Sequence, residues 1–239
     1  MEVLNVSHLS KAYPGFRLED VSFSVRTGTI MGFIGRNGAG KSTTLKSIMN
    51  MVHADAGQVT FFGLDMTKNE RTVKQRIGYA GGAVDYYKKK KIRTLLEITG
   101  VFYDHWDEDV CRKYLQLFSL DENKTPSELS EGMKVKLSLV IALSHGAQLL
   151  ILDEPTSGLD PVSREELLEI FRYLKAQGVS ILFSTHITSD LDKCADDITY
   201  IREGRILYTG SIAGYTQGEN LEDVMLRQEK EALREKFTL

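Results

Sequence analysis

The chain is short of several things, and each shortage narrows what it can be. Two cysteines occur among 239 residues. Cys111 and Cys194 lie far apart with no metal-type spacing, which argues against a disulfide framework and for a reduced chain with two core thiols. Charge of one sign is not in excess: the formal net charge is −3, so no nucleic-acid partner is expected. Long hydrophobic runs are missing as well. No stretch reaches the roughly 18 apolar residues of a membrane span. The nearest, residues 137–152, is interrupted by Ser138, Ser144, His145, Gly146 and Gln148 and reads as a buried helix, a turn and a buried strand. The opening Met1-Glu2-Val3-Leu4-Asn5 leads into no apolar core, so no secretory signal is expected. If the protein works at a membrane, another chain must supply the spans. Internal repeats and low-complexity tracts are not visible either. What is present is ordinary for a globular chain of one or two domains, with 42% hydrophobic and 26% charged residues.

Against that background one stretch stands out. Gly35-Arg36-Asn37-Gly38-Ala39-Gly40-Lys41-Ser42-Thr43 matches the P-loop pattern G-x-x-x-x-G-K-[ST], approached by the apolar Met31-Gly32-Phe33-Ile34. Glycines let backbone N–H groups turn inward around phosphate oxygens. Lys41 would reach the β- and γ-phosphates, and Ser42 would offer its hydroxyl to Mg²⁺. The residues after it look helical, which would set the phosphates at a helix N-terminus. The competing reading is a glycine-rich turn without a ligand; the strand-like and helix-like flanks weigh against it.

The organisation around the motif alternates. Residues 3–6 and 21–25 carry β-branched side chains at period two, separated by the turn signal Tyr13-Pro14-Gly15. Residues 29–34 read as an apolar strand, 41–51 as a helix, and 58–62 and 76–79 as short strands. From about residue 88 to 146 strand signals vanish. Leu95, Ile98, Val101 and Phe102 fit one helical face, Val110, Tyr114, Leu117 and Phe118 a second, and Val135, Leu139, Ala142 and Leu143 a third. Pro126 marks a break among them. Residues 149–153 form an apolar run ending in acid, typical of a buried parallel strand. A helix over 163–177, a strand over 179–184, a hairpin around Glu203-Gly204 and a charged helical tail from residue 221 follow. The pattern predicts an α/β fold: a P-loop core with a mixed or parallel central sheet, an N-terminal antiparallel part, a helical subdomain inserted at about 85–147 and a helical tail at about 212–239.

Asp153 and Glu154 end the buried strand, where ligands gather in open α/β sheets. An acid at Asp153 suits Mg²⁺, and Glu154 could polarise an attacking water. Taken alone, the pair could equally be a strand running into a turn. Ser130, with Gly132 two residues on, starts a helix and by itself would be an N-cap. His186 closes an apolar strand and in isolation would be a satisfied core or cap histidine.

Taken together these residues resemble the ATP-binding cassette (ABC) ATPases, the nucleotide-binding subunits of ABC transporters. Leu129-Ser130-Glu131-Gly132-Met133 is similar to that family's LSGGQ signature, Ser157-Gly158-Leu159-Asp160 to its D-loop, and Ser184-Thr185-His186 to its switch histidine. The likeness runs over essentially the whole chain to about residue 211. It implies catalytic roles for Lys41, Glu154 and His186, and Mg²⁺ at Ser42 and Asp153. ATP would be held by Gly35, Asn37, Gly38, Ala39, Gly40, Lys41, Ser42 and Thr43, with Tyr13 stacked on adenine. It also implies a head-to-tail dimer, homo- or heteromeric, in which Ser130, Gly132 and Asp160 serve nucleotide bound to the opposite subunit. A separate transmembrane permease and a place on the cytoplasmic face of the membrane complete the expectation.

Two departures stand beside the likeness. The family's glutamine after the strand at 77–79 falls on Gly82, with Asp85 the nearest group able to approach a metal. In the signature, Glu131 replaces glycine and Met133 glutamine. Glu131 would be unfavourable near polyphosphate unless it points away or pairs with Lys134. Lys88, Lys89, Lys90 and Lys91 read as a solvated face or as a contact to a membrane partner. The runner-up function is a soluble ABC ATPase without transport, as in iron–sulfur assembly. A guanine-nucleotide enzyme is disfavoured, since Asn123-Lys124-Thr125-Pro126 has proline where such sites need aspartate.

Overall fold

Alternating burial builds the first sheet. In β1 (Glu2–Tyr13) the buried apolar set is Val3, Leu4, Val6 and Leu9, and in β2 (Phe16–Arg26) it is Leu18, Val21, Phe23 and Val25. A period of two gives each strand one core face and one wet face. The adjacent pair Val3 and Leu4 breaks that period where the register shifts between Glu2 and Leu4. The two strands pair antiparallel with Tyr13 opposite Phe16, and both run further than their β-branched stretches. The computed structural model describes residues 1–81, 87 and 89–237.

The chain continues through β3 (Ile30–Ile34), α1 (Lys41–Ile48), β4 (Ala56–Phe61), β5 (Leu64–Asp65), α2 (Glu70–Lys74) and β6 (Ile77–Gly81). Helix α1 stops short of residue 51. Asn50 takes a left-handed φ of 54°, and the N–H groups of Met51 and Val52 both turn back to the Lys46 carbonyl. Next come α3 (Ile92–Gly100), α4 (Glu108–Leu117), a 3₁₀ turn at Pro126–Glu128, α5 (Glu131–Ser144), β7 (Leu149–Asp153), α6 (Pro161–Ala176) and β8 (Ser180–Thr185). The chain closes with α7 (Thr188–Cys194), β9 (Asp197–Arg202), β10 (Arg205–Ser211), α8 (Ile212–Thr216) and α9 (Leu221–Phe237).

Two sheets result. A four-stranded antiparallel sheet has the order β2-β1-β4-β5, and a six-stranded sheet has the order β10-β9-β3-β8-β7-β6. In the larger sheet β9, β3, β8, β7 and β6 are parallel, and β10 returns antiparallel as a hairpin. The mixed sheet expected from the sequence is present. Its central strands are buried on both faces, as their unbroken apolar runs require. Met31, Phe33, Leu149, Ile151 and Leu182 face the core shared with the antiparallel sheet and α1. Ile30, Ile34, Leu150, Leu152, Ile181 and Phe183 face the core shared with α5, α6 and α7. Each such side chain contributes about 1.5–3 kcal/mol of burial free energy. The large sheet is therefore clamped between two layers, and its carboxyl edge is a rigid platform.

Between β6 and β7 the described elements are all helical. One expectation fails there. Helix α3 buries Ile92, Leu95 and Leu96, whereas Ile98, Val101 (84% exposed) and Phe102 (72% exposed) face outward. The helix ends at Gly100, and the following turn sends Tyr103 inward instead, stacked on His145 with ring centroids 3.8 Å apart. Leu117 also faces out, while Tyr114 and Phe118 of the same expected face are buried. Cys111 and Cys194 are both buried free thiols. Burial pushes both thiols up, Cys194 to about 12.

Candidate functional site

Strand β3 delivers the glycine-rich loop to the carboxyl edge of the large sheet. Gly40 holds a φ of 112°, and a Cβ there would stand 2.7 Å from Leu18 Cδ2 and 2.9 Å from Phe16 Cζ. A side chain is excluded by both backbone and space. Gly35 is excluded by space alone, since its Cβ would meet the Ile201 carbonyl at 2.4 Å. Helix α1 then begins with no side-chain cap and no acid in its first turn. Its leading N–H groups and its positive dipole end are thus left for an anion.

The loop opens on a cleft of about 630 Å³, within the range of small-molecule sites. Arg36, Asn37, Gly38, Gly40, Lys41, Ser42 and Thr43 line it, with Phe16, Glu154, Ser157 and His186 on the other walls. Gly35 and Ala39 sit behind the lining. The Gly35 carbonyl accepts from the Lys41 ammonium at 2.7 Å, and the Ala39 carbonyl accepts from the Gly204 N–H at 3.0 Å. Lys41 is buried and lies 3.0 Å from Glu154 Oε1. His186 Nδ1 lies 2.9 Å from Glu154 Oε2. Glu154 therefore bridges the loop lysine and the strand-end histidine.

The acids are set by strand register. Asp153 pairs with Ser184 across β7 and β8, and the Ser184 hydroxyl donates to Asp153 Oδ1 at 2.6 Å. The Glu154 N–H donates to the same hydroxyl at 2.9 Å. Asp153 lines a smaller cavity of about 250 Å³ that shares Glu154 and Ser157 with the cleft. Among the described residues no group of three or more His, Cys, Asp or Glu could hold a metal ion. Ser42 lines the cleft and Asp153 the smaller cavity beside it; a hydroxyl and a carboxylate are donors of the kind Mg²⁺ takes when water and substrate phosphate complete its shell.

Other expected site residues stand outside the cleft. Ser130 caps α5 by accepting from the Met133 N–H at 3.3 Å. Glu131 is paired with Lys134 at 2.6 Å, the arrangement that relieves its charge. Gly132 lies against Ser163 and Leu159. Asp160 caps α6, accepting from the Val162 N–H, the Ser163 N–H and the Ser163 hydroxyl; the Ser163 hydroxyl bond leads in holding its carboxyl below the ordinary value. Tyr13 is exposed, with the Lys11 ammonium 5.7 Å from its ring centroid, and the aromatic that lines the cleft is Phe16. Gly82 and Asp85 lie outside the described residues.

Sequence reasoning did not name Phe16, and it quoted Arg36, Ser157 and Ser184 within motifs without giving any of them a role. Phe16 was signalled by the turn before it, but the turn offered two aromatics. Arg36 occupies a variable position of the motif, and it reaches Glu229 of α9 at 3.6 Å. Ser184 was noticed only as a neighbour of His186, because a serine ending an apolar strand looks like the strand's wet end.

Residues 18–157 match the sequence model of the family described as ABC transporter. The chain is 32% identical over 209 residues to the bacitracin transport ATP-binding protein BcrA of Bacillus licheniformis, covering 86% of this chain and 68% of that one. It is 33% identical over 237 residues to the lantibiotic transport ATP-binding protein SrtF of Streptococcus pyogenes, covering 95% and 97%. A solved structure described as the ATP binding subunit of an ABC transporter superposes with a TM-score of 0.84 at 29% identity, covering 94% of this chain and 98% of that one.

Proposed function

The chain belongs to the ABC transporter family, and from that premise we propose how its own residues bind and hydrolyse ATP. It is an ATP-binding, ATP-hydrolysing subunit that energises transport. The observation that carries the residue assignment is the bridge of Lys41, Glu154 and His186 across one cleft. Relatives named for bacitracin and lantibiotic transport favour a transporter over a soluble assembly ATPase.

The loop N–H groups and the open end of α1 bind the phosphates. Lys41 exchanges its Glu154 partner for phosphate oxygens, which frees the Glu154 carboxylate to accept a proton from water. His186 orients that carboxylate and contacts the terminal phosphate. The Tyr13–Phe16 turn supplies the aromatic surface for adenine. Ser42 and Asp153 would hold Mg²⁺, which when bound would neutralise charge on the phosphates. Ser130, Gly132 and Asp160 act on nucleotide carried by a second subunit. A separate membrane protein receives the motion, a reading supported by the relatives named for transport; no helix among the described residues is long and apolar enough to cross a membrane.

The test has two arms. Purified chain is assayed for MgATP hydrolysis, and tagged chain is isolated from its native membranes. ATP hydrolysis together with a copurifying multispan protein is the expected result. An active ATPase that brings down no membrane protein would sink the transporter reading.

A further inference from the structure

Ser184 is completely buried, yet its hydroxyl touches both members of the acid pair. A hydroxyl carries one donor and two acceptor sites. The donor is committed to Asp153 Oδ1 at 2.6 Å. An acceptor site takes the Glu154 N–H at 2.9 Å. Rotation of the hydroxyl would break the Asp153 contact and leave the buried Ser184 donor unsatisfied, which holds the arrangement in place.

The second contact falls at a constrained point of the backbone. Glu154 adopts a left-handed φ of 53°, uncommon for a residue with a side chain. The amide held by Ser184 is that residue's own. Anchoring it sets the direction in which the chain leaves β7, and with it the aim of the Glu154 carboxylate at Lys41 and His186. Ser184 also precedes His186 by two residues at the same strand end. Its position therefore couples the acid pair to the histidine through β8.

We propose that Ser184 is a positioning residue for ATP hydrolysis, orienting the Asp153 carboxylate for Mg²⁺ and pinning Glu154 so that its carboxylate meets the attacking water. The inference rests on the roles given above to Asp153 and Glu154. A merely structural hydroxyl would affect stability without altering the response to metal.

The experiment compares the full chain with Ser184→Ala and Ser184→Thr. ATP affinity is titrated in EDTA and in Mg²⁺, and kcat and KM are measured separately. Ser184→Ala is expected to bind ATP normally in EDTA, to lose roughly ten- to a hundredfold in the Mg²⁺ response and in kcat, with the KM for MgATP rising as the Mg²⁺ response is lost. Ser184→Thr, which keeps the hydroxyl, should recover both. Should Ser184→Ala lose metal-free ATP binding, Ser184→Cys is read by the same criteria, since it keeps the volume and donates weakly. Unchanged kcat and Mg²⁺ response in the folded alanine variant overturn the proposal. Glu154→Gln is run alongside. If it turns over fully, the acid assignment fails; if it is inactive while Ser184→Ala is fully active, only the role of Ser184 fails.

Discussion

Helices α1 and α5 each begin with residues that sequence ties to phosphate, yet their N-termini are in opposite conditions. Helix α1 starts from Gly40 with no side-chain cap and no acid in its first turn. Helix α5 starts from Ser130, whose hydroxyl already takes the Met133 N–H, and carries Glu131 paired with Lys134. The first end is finished as an anion site within one chain. The second is satisfied by itself and needs phosphate brought from outside to change its partners. That contrast fits the composite site proposed above, with one helix end open and the other capped.

The largest effect should come from the α1 side. Lys41→Ala removes the buried ammonium, and ATP affinity by calorimetry should fall by roughly a hundredfold or more. Glu154→Gln should keep ATP binding and lower kcat by roughly 10²–10⁴, with closed dimer accumulating on a sizing column. Normal turnover there would remove the general base from the scheme. On the α5 side, Gly132→Ala places a Cβ at ordinary contact, 3.6 Å from Ser163 Cβ. Stability should hold while turnover falls on the order of tenfold, because only the joint between subunits is disturbed. An unchanged rate would make Gly132 a packing residue.

Ser130→Ala should cost about 1 kcal/mol in denaturant unfolding through the lost cap. A larger loss in turnover than in stability would separate its phosphate role from its capping role. The smallest effect concerns Cys194, which lies on α7, away from both ends. Its folded-state value is about 12 against an ordinary 9.0. The thiol's contribution to stability is thus complete below pH 9 and is lost as pH climbs toward 12, where the unfolded chain releases its proton first. Native chain at neutral pH should leave both thiols unreactive to a disulfide reagent, and denatured chain should expose both.

Much of the fold was legible because its signals are local. Unbroken apolar runs at β3, β7 and β8 announced strands buried on both faces, and the glycine spacing at Gly35, Gly38 and Gly40 announced the loop between strand and helix. The helical insert was legible in kind but not in orientation. Ile98, Val101 and Phe102 carry the right periodicity for a packed face, but the helix ends at Gly100 and Tyr103 takes the inward place. Periodicity reports which residues share a side, and termination decides which side is covered. The aromatic at the cleft shows the same limit. Tyr13 and Phe16 face each other across a tight turn, and the close approach of Gly40 to Phe16 selects the latter.

The sequence by itself determined the chemistry: a phosphate loop, an acid pair after a buried strand and a histidine after another, in an order that names the family. These are contiguous motifs whose residue types carry their function. Tertiary structure alone decided which groups share a hydrogen bond. Lys41 meets Glu154 and Ser184 meets Asp153 because parallel strands bring their carboxyl ends to one edge in fixed register. Register is set by the packing of both sheet faces at once, and no single stretch of the chain contains it.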